Sequence, residues 1–205
     1  MKRRSIFKGL LATLAFTAVG SVWAEGPEIG PISPAQAPST GPGQVEVLEF
    51  FSYGCPHCAN LDPFLRKWEQ SLKKDVVVKR VPVSFGRPSW AALGRIYTTL
   101  DAMRLADKFG PQVFEAVQRS RVRLDDEKAR NEWLAKVGID VKTFNDTWRS
   151  FGVDTTTRRY EQLAVAYKIE SVPTLTVQGR TRVTGEGPDA IKAVDDLIAK
   201  ARSGK

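Results

Sequence analysis

Phe50-Phe51-Ser52-Tyr53-Gly54-Cys55-Pro56-His57-Cys58 holds both cysteines of the chain and its only histidine. The residues before it, Val45 to Phe51, read as a buried strand, because five of the seven are apolar. After it, Leu61, Phe64, Leu65, Trp68 and Leu72 recur at helical spacing and predict one apolar face of an α-helix. Cys55-Pro56-His57-Cys58 therefore falls at the turn from a buried strand into a helix, with Cys55 at the helix N-terminus. Pro63 lies inside the apolar face, so it is expected to kink the helix rather than end it.

A helix start carries unpaired N–H groups and about half a positive charge. A thiolate placed there is stabilised, and its pKa falls from about 8.5 into a range of about 3.5–7.5. Pro56 suits the first helical turn, where it leaves no N–H unsatisfied. His57 adds a donor or a positive charge beside the same sulfur. Cys58 is within one turn and can close a disulfide with Cys55. The expected chemistry is thiol–disulfide exchange, with Cys55 the exposed partner in the mixed disulfide and Cys58 the buried resolving thiol. Stabilising the Cys55 thiolate favours the reduced protein and makes the disulfide an oxidant.

Two plainer readings fit less well. A structural disulfide across three residues closes almost no loop and stabilises little. A zinc site needs about four ligands, and the chain has no further Cys or His to complete one. No metal and no bound cofactor is expected, and no Gly-x-Gly-x-x-Gly follows a strand.

Residues 1–24 read as a signal peptide. Lys2, Arg3, Arg4 and Lys8 precede an apolar run from Leu10 to Phe16, and Val22-Trp23-Ala24 resembles a cleavage site. Arg3-Arg4 also loosely fits a twin-arginine signal, although the general secretory route is favoured. Export places the mature chain in an oxidising compartment, where one closely spaced cysteine pair is a tool rather than a staple. Without the four leading basic residues the formal charge falls from +8 to +4. That is an ordinary surface and not a nucleic-acid footprint.

Residues 25–44, with five prolines and four glycines, read as an irregular or extended lead-in. Glu49 sits inside the first strand. It either faces solvent or lies beneath the cysteines, where it would tune a thiol pKa or relay a proton to Cys58. Val76 to Val83 is a second strand, parallel to the first through the helix between them. Arg80 on it is a candidate partner for a buried acid, or simply a solvent-facing residue. From Pro88 to about Phe151 the pattern is helical only, with Asp140 capping a helix whose face includes Phe144, Trp148 and Phe151. A further helix is expected from about Thr156 to Ile169. Leu175–Val177 and Arg182–Thr184 form a hairpin around Gln178-Gly179-Arg180, and Pro188 opens a last helix. Pro173 precedes the hairpin, and local sequence alone favours a trans bond there.

These motifs together resemble the DsbA-type periplasmic thiol–disulfide oxidases of the thioredoxin-like superfamily. The resemblance rests on Glu49-Phe50-Phe51-Ser52-Tyr53-Gly54-Cys55-Pro56-His57-Cys58, on the helical insertion, and on Val172-Pro173-Thr174. It covers about residues 45–201. It implies an α/β thioredoxin-like domain built from 45–87 and 152–205, with an all-helical subdomain, 88–151, inserted between them. It implies that Pro173 is cis and faces the cysteine pair, that the Val172 backbone pairs with an extended substrate segment, and that Glu49 is the family's buried acid. The redox-active disulfide Cys55–Cys58 would serve in place of a cofactor. The implied partners are reduced, newly exported proteins and a quinone-linked membrane reoxidant of the DsbB type, with the enzyme a periplasmic monomer. Gly54 departs from relatives that carry a bulkier residue before the first cysteine, which implies different local packing.

Overall fold

The computed structural model describes residues 26–204. The signal peptide expected over residues 1–24 lies outside them. Strand β1 spans Glu28–Pro31, β2 Val45–Phe51, β3 Val76–Pro82, β4 Thr174–Val177 and β5 Thr181–Thr184. They form one sheet in the order β1-β5-β4-β2-β3. Strands β2 and β3 are parallel, joined by helix α1, Pro56–Glu69. The pairs β2–β4, β4–β5 and β1–β5 are antiparallel.

Side chains of β2 alternate between two cores, as a pleated central strand requires. Val45 and Val47 pack with Leu61, Leu65 and Trp68 of α1 and with Ile191, Val194 and Ile198 of the last helix. Leu48 and Phe50 face the opposite side, against Ala164, Tyr167 and Ile169. Phe51 and Tyr53 carry the chain into a third core built mainly by the helical region, with Ile96, Leu100, Phe109, Val113, Leu134 and Phe144. This junction of sheet core and helical core is where the cysteines sit.

The helical region holds α2, Pro88–Ala102; α3, Ala106–Phe114; α4, Glu127–Val137; and α5, Val141–Trp148. A five-residue π-helical turn, Glu115–Arg119, continues α3. Asp126 caps α4 and Asp140 caps α5, each accepting a backbone N–H three residues on, at 2.9 and 2.7 Å. Helix α6, Phe151–Ala166, returns the chain to the sheet, and α7, Pro188–Arg202, closes it.

Three expectations need correction and one alternative is decided. Of the irregular and extended readings of the lead-in, Glu28–Pro31 takes the extended one: it pairs with β5, placing Ile29 opposite Val183. Helix α6 begins five residues before Thr156, because Ser150 accepts the Val153 N–H and caps it there. Phe151 consequently opens α6 and is 84% exposed, rather than lying on the face of α5. On α1, Phe64 is 44% exposed and Leu72 lies beyond the helix end, so the buried stripe narrows to Leu61, Leu65 and Trp68. Pro63 stays inside α1, as its spacing suggested.

Candidate active site

Cys55 occupies the N-cap of α1, with extended backbone, and Pro56 takes the first helical position. The two sulfurs are free thiols. Cys58 is fully buried. Cys55, expected to be the exposed sulfur, is itself only 4% exposed. The cause is the loop before β4: the Val172–Pro173 bond is cis, against the local preference for trans, and brings the Val172 carbonyl 3.3 Å from Cys55 Sγ. A groove beside this loop is lined by His57 of α1 and by Val172 and Pro173.

The two thiols are driven apart in acidity. The Cys55 pKa falls to about 6. The chief cause is the hydrogen bond its thiolate accepts from the Cys58 thiol. Burial opposes the shift, while the Cys58 and His57 backbone N–H groups and the nearby imidazole assist it. Sequence reasoning credited the helix start and His57; the larger contribution is the second cysteine. Cys58 is pushed well above the ordinary thiol range, first by burial, then by its bond to the Cys55 sulfur. One sulfur is thus ready as a thiolate near neutral pH and its neighbour holds its proton.

His57 points away from the protein interior, with Nδ1 3.2 Å from Glu186 Oε1. The other oxygen of Glu186 accepts from Asn60 Nδ2 at 2.9 Å. Glu186 precedes α7 and carries no local signal in the sequence; it reaches the site only because the sheet folds β5 back beside β4.

Beneath the cysteines lies a buried charge cluster. Glu49 is 1% exposed, so the solvent-facing alternative does not hold. The parallel register sets it opposite Arg80, whose Nε lies 3.0 Å from Glu49 Oε2. Arg80 also pairs with Glu69 at 3.0 Å. The contact with Glu49 is close but poorly aligned: among the described residues neither Glu49 Oε2 nor Arg80 Nε has a hydrogen-bond partner. Burial accordingly raises the Glu49 pKa to about 7, against the pull of the Arg80 guanidinium. Asp62, which sequence reasoning passed over, is buried within the same cluster and is bonded to Arg66 Nε at 2.8 and 2.9 Å. Its spacing to Arg66 is that of an ordinary surface pair, so nothing local marks it as interior.

Gly54 is explained by Trp90. A Cβ on Gly54 would lie 2.5 Å from the indole Nε1, so the ring fills the space a larger residue would take. Gly54→Ala is expected to lower stability by about 1–3 kcal/mol through overpacking. Adding Trp90→Ala should recover part of that loss, read as a non-additive cycle in urea unfolding.

A thioredoxin-like sheet that sets a Cys-x-x-Cys pair at a helix N-terminus facing a cis-proline defines the class of thiol–disulfide oxidoreductases. Comparison with known proteins narrows the class. Residues 46–199 match the family model of the DSBA-like thioredoxin domain. The thiol:disulfide interchange protein DsbA of Bordetella bronchiseptica is 42% identical over 170 residues, covering 80% of each chain. That of Pseudomonas syringae pv. tomato is 37% identical, covering 81% of this chain and 79% of its own. The crystal structure of Pseudomonas aeruginosa DsbA superposes with a TM-score of 0.81 at 32% identity, covering 87% of this chain and 94% of that one. The chain belongs to the DSBA-like thioredoxin domain family and is a protein-disulfide oxidoreductase.

Proposed function

We propose that the protein oxidises cysteine pairs in newly exported proteins by donating its Cys55–Cys58 disulfide. The observation that carries this reading is the split in acidity: Cys55 lowered to about 6, Cys58 held protonated, both under the cis-Pro173 loop. In the oxidised enzyme a substrate thiolate attacks Cys55 Sγ. A mixed disulfide forms, and the Cys55–Cys58 bond breaks with its electron pair on Cys58, which takes up a proton. A second substrate thiolate then attacks its own sulfur in the mixed disulfide, closing the substrate disulfide and releasing Cys55 as a thiolate. The low pKa makes Cys55 the better leaving group in that step. Pro56 opens the helix beneath the thiolate, and His57 lends it positive charge. The Val172 backbone and Pro173 hold the substrate segment in extended form across the groove. Glu49 supplies or accepts the Cys58 proton, for which a pKa of about 7 suits it.

The enzyme acts in the periplasm as a monomer and carries its oxidising power in the cysteine pair, without a resident cofactor. A quinone-linked membrane protein of the DsbB type, engaging the same face, returns it to the disulfide form.

A reduced, unfolded protein with one cysteine pair tests this. The oxidised enzyme should transfer its disulfide one-for-one, and Cys55→Ser should abolish transfer. Given the substrate in its disulfide form instead, Cys58→Ser should hold a mixed disulfide on Cys55, with one substrate thiolate as the leaving group, visible by mass spectrometry. Transfer that survives in Cys55→Ser would defeat the reading.

A further inference from the structure

The groove beside cis-Pro173 is a cavity of about 320 Å³, lined by His57, Val172, Pro173, Thr184, Glu186 and Asp189 among others. Among the described residues its ionisable side chains are His57 and the two carboxylates, with no Lys or Arg. Glu186 is fixed in place by Asn60 and His57, so it need not be ordered when a ligand arrives. Burial opposes its ionisation, but the hydrogen bonds from Asn60 and His57 outweigh that and hold its carboxyl below the usual range. Asp189 stands in the first turn of α7, and Lys192, one turn on, is already paired with Asp196 at 3.1 Å.

The other side of Cys55 has the opposite character. Arg87 stacks on the outer face of Trp90 at 4.6 Å, and the cavity beside Gly54 is lined by Trp90, Arg121 and Arg123. Arg123 is neutralised by Asp125 at 2.8 Å; Arg87 and Arg121 are exposed. A peptide crossing Cys55 therefore runs from an anionic wall to a cationic and aromatic one.

Resting on the oxidase reading, we infer that the enzyme prefers reduced segments carrying a lysine or arginine close to the reacting cysteine, on the flank that falls in the cis-Pro173 groove. A chain advances by at most about 3.6 Å per residue, so once a substrate sulfur reaches Cys55 the residues one and two positions away must lie along these walls. A basic side chain on the groove side meets Glu186 and Asp189. On the opposite side it meets Arg87 and Arg121, so position relative to the cysteine matters and not merely net charge.

The test uses reduced peptides with two cysteines and a neutral spacer. One lysine is placed in turn at each of the two positions before and after the first cysteine, with glutamine as reference. The second-order rate of disulfide transfer is read by mass spectrometry. At one flank or the other, lysine should speed transfer by about three- to fivefold, the size expected of partly exposed ion pairs, and added salt should shrink the gain. Glu186→Gln with Asp189→Asn should remove the lysine-to-glutamine ratio. Asp189→Lys should invert it, so that the glutamine reference reacts faster than the lysine peptide, which a purely structural role for the loop would not produce. Equal rates at all four positions, or a ratio that survives in the double variant, would overturn the inference while leaving the oxidase reading standing. Failure to oxidise even the glutamine reference would remove both.

Discussion

Titrated against glutathione, the reduced protein is expected to gain about tenfold in equilibrium constant for each pH unit between pH 6 and about 8.5, and to lose that dependence below pH 6. The balance sets the sign. Two glutathione thiols reduce the Cys55–Cys58 disulfide and leave glutathione disulfide, the Cys58 thiol, the Cys55 thiolate and one released proton. The proton is released only above the Cys55 pKa of about 6, where the thiolate is the product. Above about 8.5 glutathione, an ordinary thiol, itself enters as two thiolates and one proton is taken up, so the dependence reverses there. Over that window the accumulated gain is roughly 300-fold. The same logic applies to stability. A depressed pKa stabilises the reduced fold above the unfolded thiol pKa, and that contribution fades as pH falls through about 6. Because the Cys58 thiol is the largest cause of the shift, Cys58→Ala should raise the Cys55 pKa, followed by thiolate absorbance in the ultraviolet. A Cys55 titration centred near 8.5 in the intact dithiol would show that the thiolate is not stabilised and would favour a reductase.

The part of this site legible in the sequence is the part encoded locally. Strand periodicity in β2 passes directly into helical periodicity in α1, so the position of Cys55 at the helix start follows from a few adjacent residues. Asp126 and Asp140 likewise announce their helices by capping chemistry that needs no tertiary contact. What stayed hidden depends on long-range register. Whether Glu49 faces water or protein is settled by Arg80 standing opposite it on β3 and by α1 lying over that face of β2. The strand Glu28–Pro31 has no periodicity of its own around its one glycine and one proline, and forms because β5 offers an open edge. Glu186 lies 129 residues from the histidine it bonds. The cis bond at Pro173 is likewise invisible in the local sequence, and was expected only through the family resemblance.

Replacing Glu49 by glutamine is expected to stabilise the reduced protein by about 2–3 kcal/mol at pH 8, and by less than about 0.5 kcal/mol at pH 4.5. Glu49 has its folded pKa raised from 4.5 to about 7. A carboxyl shifted that way contributes stability that is whole below the unfolded value and is lost as pH rises through the folded one. Above pH 7 the fold must therefore hold an ionised carboxylate that burial disfavours, and the Arg80 contact, close but without hydrogen-bond alignment, does not make up the difference. Glutamine removes the charge at similar volume, and Arg80 keeps Glu69 as a partner, so no unpaired cation is left behind. Urea unfolding at the two pH values reads the effect directly. Equal stability at both would mean that Glu49 is better compensated than its geometry indicates. Disulfide transfer measured on the same variant decides why so poorly matched a pair sits under the active site. Slower transfer in the more stable protein is what a proton relay to Cys58 requires, since stability is then given up for exchange chemistry. Unchanged transfer would leave Glu49 without a part in the reaction.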